Sequence, residues 1–188
     1  MTDSLDFFAE LAATRRTSLM VDRERPVPDE LTDRLCQLAA LAPNHKKTWP
    51  WRFAVVTGQG RRTLGETAAF AMAAAGLHDE AKLDKTRSKY LRAPTVVVVG
   101  TAPNDDPHRH REDRDAVAAG VQTLLLGATA AGLASFWSSC PFGANDAVAA
   151  FSGFDRGTHV TALVYLGWPV DEVPVPERDA PKINHVST

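Results

Sequence analysis

Apolar positions near the start of the chain recur every three to four residues. Leu5, Phe8, Leu11 and Ala12 share one stripe, which predicts a helix from about Ser4 to Thr14, capped by Asp3 or Ser4. It runs into Arg15, Arg16, Thr17 and Ser18, with the cations where a helix C-terminus favours them. A second stripe of Leu31, Leu35, Leu38 and Ala42 predicts a helix from Asp29 to Leu41, stopped by Pro43. Trp51 to Gly58 alternates as a strand does. An Ala-rich helix then ends at Gly76, a residue suited to the C-terminal cap, and a polar helix follows over Asp79 to Leu91.

Ala93 to Thr101 holds an unbroken run of valines, the pattern of a strand buried on both faces. The stretch 104–115, "NDDPHRHREDRD", is expected to be a charged loop and the most exposed part of the chain. Ala116 to Gly132 is apolar nearly all round, which predicts a helix buried in a core or an interface. Leu133 to Ser139 reads as a strand, Ala144 to Phe151 as a short helix, and Thr158 to Gly167 as a strong strand. Four strands and six helices in mixed order predict an α+β sheet layered with helices. With no repeats and no linker, a single domain is expected over 1–188. Its Pro-rich end, 167–188, is expected to form an extended arm lying over a surface.

Composition narrows the classes. A formal charge of -2 argues against a general nucleic-acid binder, which normally carries a strongly basic domain. Cys36 and Cys140 lie far apart in no metal or CxxC pattern, so a reducing compartment is the simplest expectation. The N-terminus is acidic and amphipathic rather than continuously apolar, unlike a signal peptide. No apolar run is long enough to span a membrane. A cytoplasmic chain that binds neither nucleic acid nor membrane is expected.

No nucleotide, metal or thiol motif in the chain is complete. "GQGRRT" after a strand approaches G-x-G-x-x-G, but Thr63 replaces the third glycine. The next strand begins only near Thr95, so a dinucleotide-binding βαβ unit is not expected. His108 and His110 lack a placed third ligand and read as solvated side chains, so no metal site is expected. Cys140 has no neighbouring His to activate it, and Cys36 reads as a small buried hydrophobe. Two features remain. Arg15 and Arg16, followed by two hydroxyls, suit a phosphate. "APNHKKTWPWRF" mixes lysines that want water with Trp49 and Trp51, which want burial. Such a loop suits a flat apolar ligand with a negative end. A flavin mononucleotide, nucleic acid and a plain protein interface all meet that description.

In order, "RRTS", "LAPNHKKTWPWRF", "GVQTLLLGATAAGLASFW" and "LVYLGWP" resemble the nitroreductase family of FMN-dependent oxidoreductases, and most closely its YdjA-like branch. The resemblance implies a nitroreductase-like fold, a mostly antiparallel sheet flanked by helices, in a homodimer with two flavins at the interface. It implies FMN contacts from Arg15, Arg16 and Thr17 at the phosphate and ribityl end, and from Asn44 and His45 in the loop approaching the flavin. Phe136, Trp137 and Ser138 would line the ring from the neighbouring subunit, and Arg178 would close on the phosphate. His45 and the two lysines would face the cofactor's polar edge or phosphates, with Trp49 and Trp51 as apolar walls. The implied activity relays hydride from NADH or NADPH through flavin N5 to an electron-poor small-molecule acceptor, nitroaromatic or quinone in type. That chemistry belongs to the cofactor, so no residue is expected to act as general acid or base. A flavin store or sensor without turnover, and an interaction module without flavin, are the alternatives.

Two departures from the pattern concern the substrate. Trp49 and Ser138 stand where close relatives often carry Gln and Arg, so acceptor space and charge near the ring differ. Pro50 is expected to hold the Trp49 backbone extended, which suits an inward lid over the acceptor's entrance.

Overall fold

A computed structural model describes residues 2–174 and 177–187. One antiparallel sheet has the order β1-β2-β4-β3, with β1 Trp51–Val56, β2 Thr95–Thr101, β3 Ala134–Ser138 and β4 His159–Gly167. Every residue of the inner strand β2 is buried, as its valine run requires. Around the sheet lie α1 Thr2–Thr14, α2 Asp29–Ala39, α3 Gly60–Ala74, α4 Glu80–Lys89, α5 Pro107–Ala130 and α6 Asn145–Phe151.

Side chains alternating along β2 and β4 divide the interior into two cores. Val96, Val98, Leu163 and Tyr165 pack with Leu64, Met72 and Val148 of α3 and α6. Val97, Val99, Val164 and Leu166 pack with Leu35, Val121 and Leu124 of α2 and α5. The sheet is therefore a middle layer between two helical ones. Cys36 is buried in the second core, as its place beside an apolar stripe suggested.

The caps explain where helices stop. Gly76 takes φ +95, and the Gly76 and Leu77 N–H groups donate to the Ala73 and Met72 carbonyls at 3.0 Å each. That paired arrangement closes α3 in a conformation that glycine adopts without strain. At α1 the start differs from expectation. The helix already runs from Thr2, so Asp3 and Ser4 lie inside its first turn.

The charged stretch 104–115 is not a loop. α5 begins at Pro107, and the Asp106 carboxylate caps it by accepting from the His108 and Arg109 N–H groups at 2.9 and 3.4 Å. Proline at the first helical position loses no bond it would otherwise make. Nor is the stretch uniformly exposed, since Asp113 is 3% exposed. On a helix His108 and His110, two positions apart, leave from different sides and do not face each other.

Two apolar surfaces behave differently from each other. The all-round apolar character of α5 is largely used within the chain, where Val117, Gly120, Val121, Leu124, Leu125 and Ala128 are buried. The start of the α1 stripe is not: Leu5 and Phe8, with neighbouring Phe7, stay 70%, 53% and 67% exposed, whereas Leu11 and Ala12 are half-buried. Beyond β4, Pro169 bridges Val21 and the Val170 N–H donates to the Met20 carbonyl at 3.1 Å. Residues 177–187 then run exposed, without regular structure; positions 175, 176 and 188 of the expected arm fall outside the described residues.

Candidate functional site

The loop that leads into β1 is held from one point. Asp113, on the second turn of α5, accepts from Asn44 Nδ2 at 3.3 Å, from Asn104 Nδ2 at 3.1 Å and from the Thr48 hydroxyl. Asn44 in turn accepts the Trp49 N–H at 2.9 Å. These bonds enforce an unusual backbone: Lys46, Lys47 and Trp49 have φ of 63, 54 and 52. Such values disfavour any residue with a Cβ and cost on the order of 1–3 kcal/mol each unless neighbours hold them. Trp49 is therefore left-handed, not extended. Its side-chain-bonded N–H outweighs the preference that Pro50 sets.

The two tryptophans part company. Trp51 is 8% exposed and belongs to the core, with its indole nitrogen beside Gly120. A Cβ at position 120 would come within 2.9 Å of that nitrogen and 2.5 Å of the Ala39 carbonyl oxygen. Glycine is required by this close approach of α5. Trp51 is thus no wall of a ligand site. Trp49 is 61% exposed, its ring tilted at 50° to that of Trp51 with centroids 6.3 Å apart. His45 Nδ1 lies 2.9 Å from a Glu112 carboxylate oxygen, and Pro43, His45, Glu112 and Ala119 border an open cavity of about 590 Å³.

The Arg15–Ser18 element sits elsewhere, stitched to β3. Thr17 pairs with Ser135, and the Ser18 N–H donates to the Ser135 carbonyl at 2.9 Å. The structure thereby brings Arg15, Arg16 and Thr17 beside Phe136, Trp137 and Ser138 within one chain. Phe136 is half-buried, edge-on to Tyr165 with centroids 5.7 Å apart. Trp137, one position on and so on the opposite face, is 36% exposed rather than a core aromatic. The Ser138 hydroxyl donates to the Ser139 carbonyl at 3.3 Å.

The two arginines differ. Arg16 turns back on α1, donating from Nη1 to the Ala13 carbonyl and, at 2.7 Å, to that of Arg15. Its Nε is buried and has no partner among the described residues. Arg15 is half-buried and makes no ion pair among the described residues. Thr14, Arg16, Ser18 and Ala134 line a cavity of about 380 Å³, whose other wall carries Asp171 and Glu172. Arg178 is exposed on the arm and does not line this cavity.

The site residues therefore fall into two groups. Asp113 anchors Asn44, whereas Thr129, on the last turns of the same helix, lines the Arg16 cavity. Sixteen helical positions separate them, about 24 Å at 1.5 Å per residue. That is further than the two ends of an FMN lie from each other.

Several neighbours of these groups carry no sequence motif. Asp113 and Asn104 were hidden inside the charged stretch. Arg92 stands over Phe136 and Tyr165, 6.0 and 5.8 Å from their ring centroids, and Lys89 stands 5.0 Å from the Tyr90 ring. Burial pulls the Lys89 ammonium down from its ordinary range. Burial also pushes the Cys140 thiol up to about 11, against a weaker opposing pull from Lys89, and the Cys36 thiol up to about 12. Neither thiol is an activated nucleophile at neutral pH.

The profile of the nitroreductase family matches residues 12–168. The provisionally assigned NAD(P)H nitroreductase YdjA of Escherichia coli (strain K12) is 28% identical over 162 residues, covering 85% of this chain and 87% of the relative. The nitroreductase-like family protein from Bacillus cereus superposes with a TM-score of 0.78 at 24% identity, covering 92% and 90% of the two chains. The FMN-dependent nitroreductase NfnB from Mycobacterium smegmatis, solved in complex with NADPH, superposes with a TM-score of 0.72 at 22% identity, covering 96% and 100%. At these identities the two superpositions speak for the fold.

Proposed function

The chain belongs to the nitroreductase family, and with it to the oxidoreductases; from that premise we propose an FMN-dependent NAD(P)H oxidoreductase that works as a homodimer. Its acceptor is an electron-poor small molecule, nitroaromatic or quinone in type. Relatives of the same fold include an FMN-dependent enzyme solved with NADPH, which supports the choice of cofactor and reductant. The observation that carries the reading is the separation of the two residue groups along α5. One chain offers its phosphate-binding element at one end and its ring-approaching loop at the other. A second copy, related by a two-fold axis, supplies the missing group at each end.

The donor set suits the cofactor. Among the described residues Arg15 makes no ion pair and buried Arg16 Nε has no partner, and Thr14 and Ser18 line the cavity with Arg16. Guanidinium groups and hydroxyls are the donors a phosphate monoester wants. Asp171 and Glu172 face that cavity and must turn outward, or be balanced by a cation, when a phosphate enters. Arg178, on the same arm, is the cation we assign to that role. Phe136 and Trp137 offer apolar contact beside the phosphate element, and Asn44 and His45 offer polar contact from the partner copy.

When bound, the flavin supplies the hydride relay between NAD(P)H and the acceptor. The protein's part is to bind, orient and exclude water. The exposed α1 stripe and the exposed arm supply apolar surface for the second copy. Among the described residues no helix is long and apolar enough to cross a membrane.

The spectrum of the purified protein, reconstituted with FMN, tests the reading. A flavin band that bleaches under NADPH or NADH without oxygen, and returns on adding a quinone, is expected. Failure to bind FMN sinks the proposal. A bound flavin that neither nicotinamide reduces points to a store or sensor instead.

A further inference from the structure

We propose that Lys46 and Lys47 form the docking point for the phosphates of the nicotinamide dinucleotide, an assignment that rests on the oxidoreductase reading above. Both side chains are exposed, and neither makes an ion pair among the described residues. Of the carboxylates around the loop, Glu112 already lies 2.9 Å from His45 and 3.7 Å from His108, and buried Asp113 is taken up by Asn44, Thr48 and Asn104. The two ammonium groups are thus left without a paired carboxylate among the described residues.

Their backbone argues that this exposure is imposed. Two adjacent lysines hold left-handed φ of 63 and 54, a conformation lysine does not choose. They hold it because Asn44 and Thr48, on either side, are both fixed to buried Asp113. A loop that merely connected α2 to β1 would relax. Held strain of this kind is characteristic of segments with a binding task.

The chemistry of the cation chooses between resident and transient ligands. A resident phosphate is matched by the planar, multidentate guanidinium groups of Arg15 and Arg16. A reductant that must arrive and leave in every cycle is better served by exposed ammonium point charges. These raise its encounter rate by long-range attraction and release it readily. A nicotinamide dinucleotide carries two negative charges on its pyrophosphate, and the 2′-phosphate of NADPH adds further charge.

The double variant Lys46→Gln/Lys47→Gln, loaded with FMN, tests the assignment with two independent measurements. Calorimetric titration with NADP+ should give an affinity weakened about tenfold to a hundredfold. Anaerobic flavin reduction should be compared between NADPH and 1-benzyl-1,4-dihydronicotinamide, a hydride donor without phosphates. The loss with NADPH should exceed the loss with the benzyl donor by at least about tenfold. Added salt should slow reduction of the wild type by NADPH and leave that of the variant nearly flat. Lys47→Gly, which relieves the backbone while removing one charge, should lose NADP+ affinity as Lys47→Gln does. Unchanged NADP+ affinity in the double variant, or equal losses with both donors, overturns the assignment. If the benzyl donor cannot bleach even the wild-type flavin, the oxidoreductase reading fails, and the NADP+ titration decides the lysine assignment by itself.

Discussion

Asn44 donates a hydrogen bond to Asp113 at 3.3 Å across 69 positions of sequence, tying the loop before β1 to the start of α5. Because Asp113 is 3% exposed and also accepts from Thr48 and Asn104, its removal takes an acceptor from three donors at once and leaves the Asn44 and Thr48 donors bonded only to each other. Asp113→Ala should cost about 2–4 kcal/mol in denaturant unfolding. It should also speed amide exchange at 44–49, where the left-handed backbone loses its restraint. An unfolding midpoint equal to wild type would remove Asp113 as the anchor.

The arginine pair should divide its labour. The Arg15 side chain makes no hydrogen bond or ion pair among the described residues, so Arg15→Ala should weaken FMN binding by about one to two decades with little change in stability. Arg16 holds the end of α1 through two carbonyls, so Arg16→Ala should lower stability by about 1 kcal/mol in addition to any effect on FMN. FMN titration of the apo-protein together with a thermal melt of each variant separates the two roles. Unaltered FMN affinity in both would remove the phosphate assignment.

Assembly follows from the α1 stripe. Leu5, Phe7 and Phe8 are each more than half exposed in a single chain, which is costly for a free surface. A dimer at micromolar concentration is expected in sedimentation, and Phe7→Glu/Phe8→Glu should shift it toward monomer. A folded wild-type monomer of about 20.3 kDa in that experiment would sink the two-chain site.

Trp49 should act on acceptors rather than on stability. At 61% exposure its indole has little packing to lose, so Trp49→Gln should leave the melting temperature nearly unchanged. Turnover of a bulky quinone should rise relative to a small one, with FMN content constant. A loss of about 3–5 kcal/mol, the cost typical of a buried aromatic, with unchanged acceptor preference would end the lid assignment.

What the sequence disclosed depended on whether a residue's neighbours in the chain were also its neighbours in space. The valine run of β2 announced a strand covered on both faces, and Gly76 announced the end of α3, because both signals are local. Asp106 and Pro107 carried an equally local start signal for α5. It was outweighed by the density of charge that followed, since only Asp113 on those first turns is turned inward and it is itself charged. The backbone of Trp49 departs from the local expectation for a different reason. Pro50 acts through one bond, but the deciding contact comes from Asn44 Oδ1, itself fixed by a residue far along the chain. The separation of the Arg15 group from the Asn44 group appears only once α5 is laid against the sheet.

That helix has a further implication. Its first turns grip the loop carrying Asn44, and its last turns border the cavity of Arg16. In the two-fold pair proposed above, each α5 is a rigid rod shared by both reaction centres, ending in one and beginning in the other. A rod cannot tilt at one end alone. Filling the first phosphate cavity therefore presses on the loop that serves the second ring, and the two flavins of a pair should load unequally, with the second association constant differing from the first.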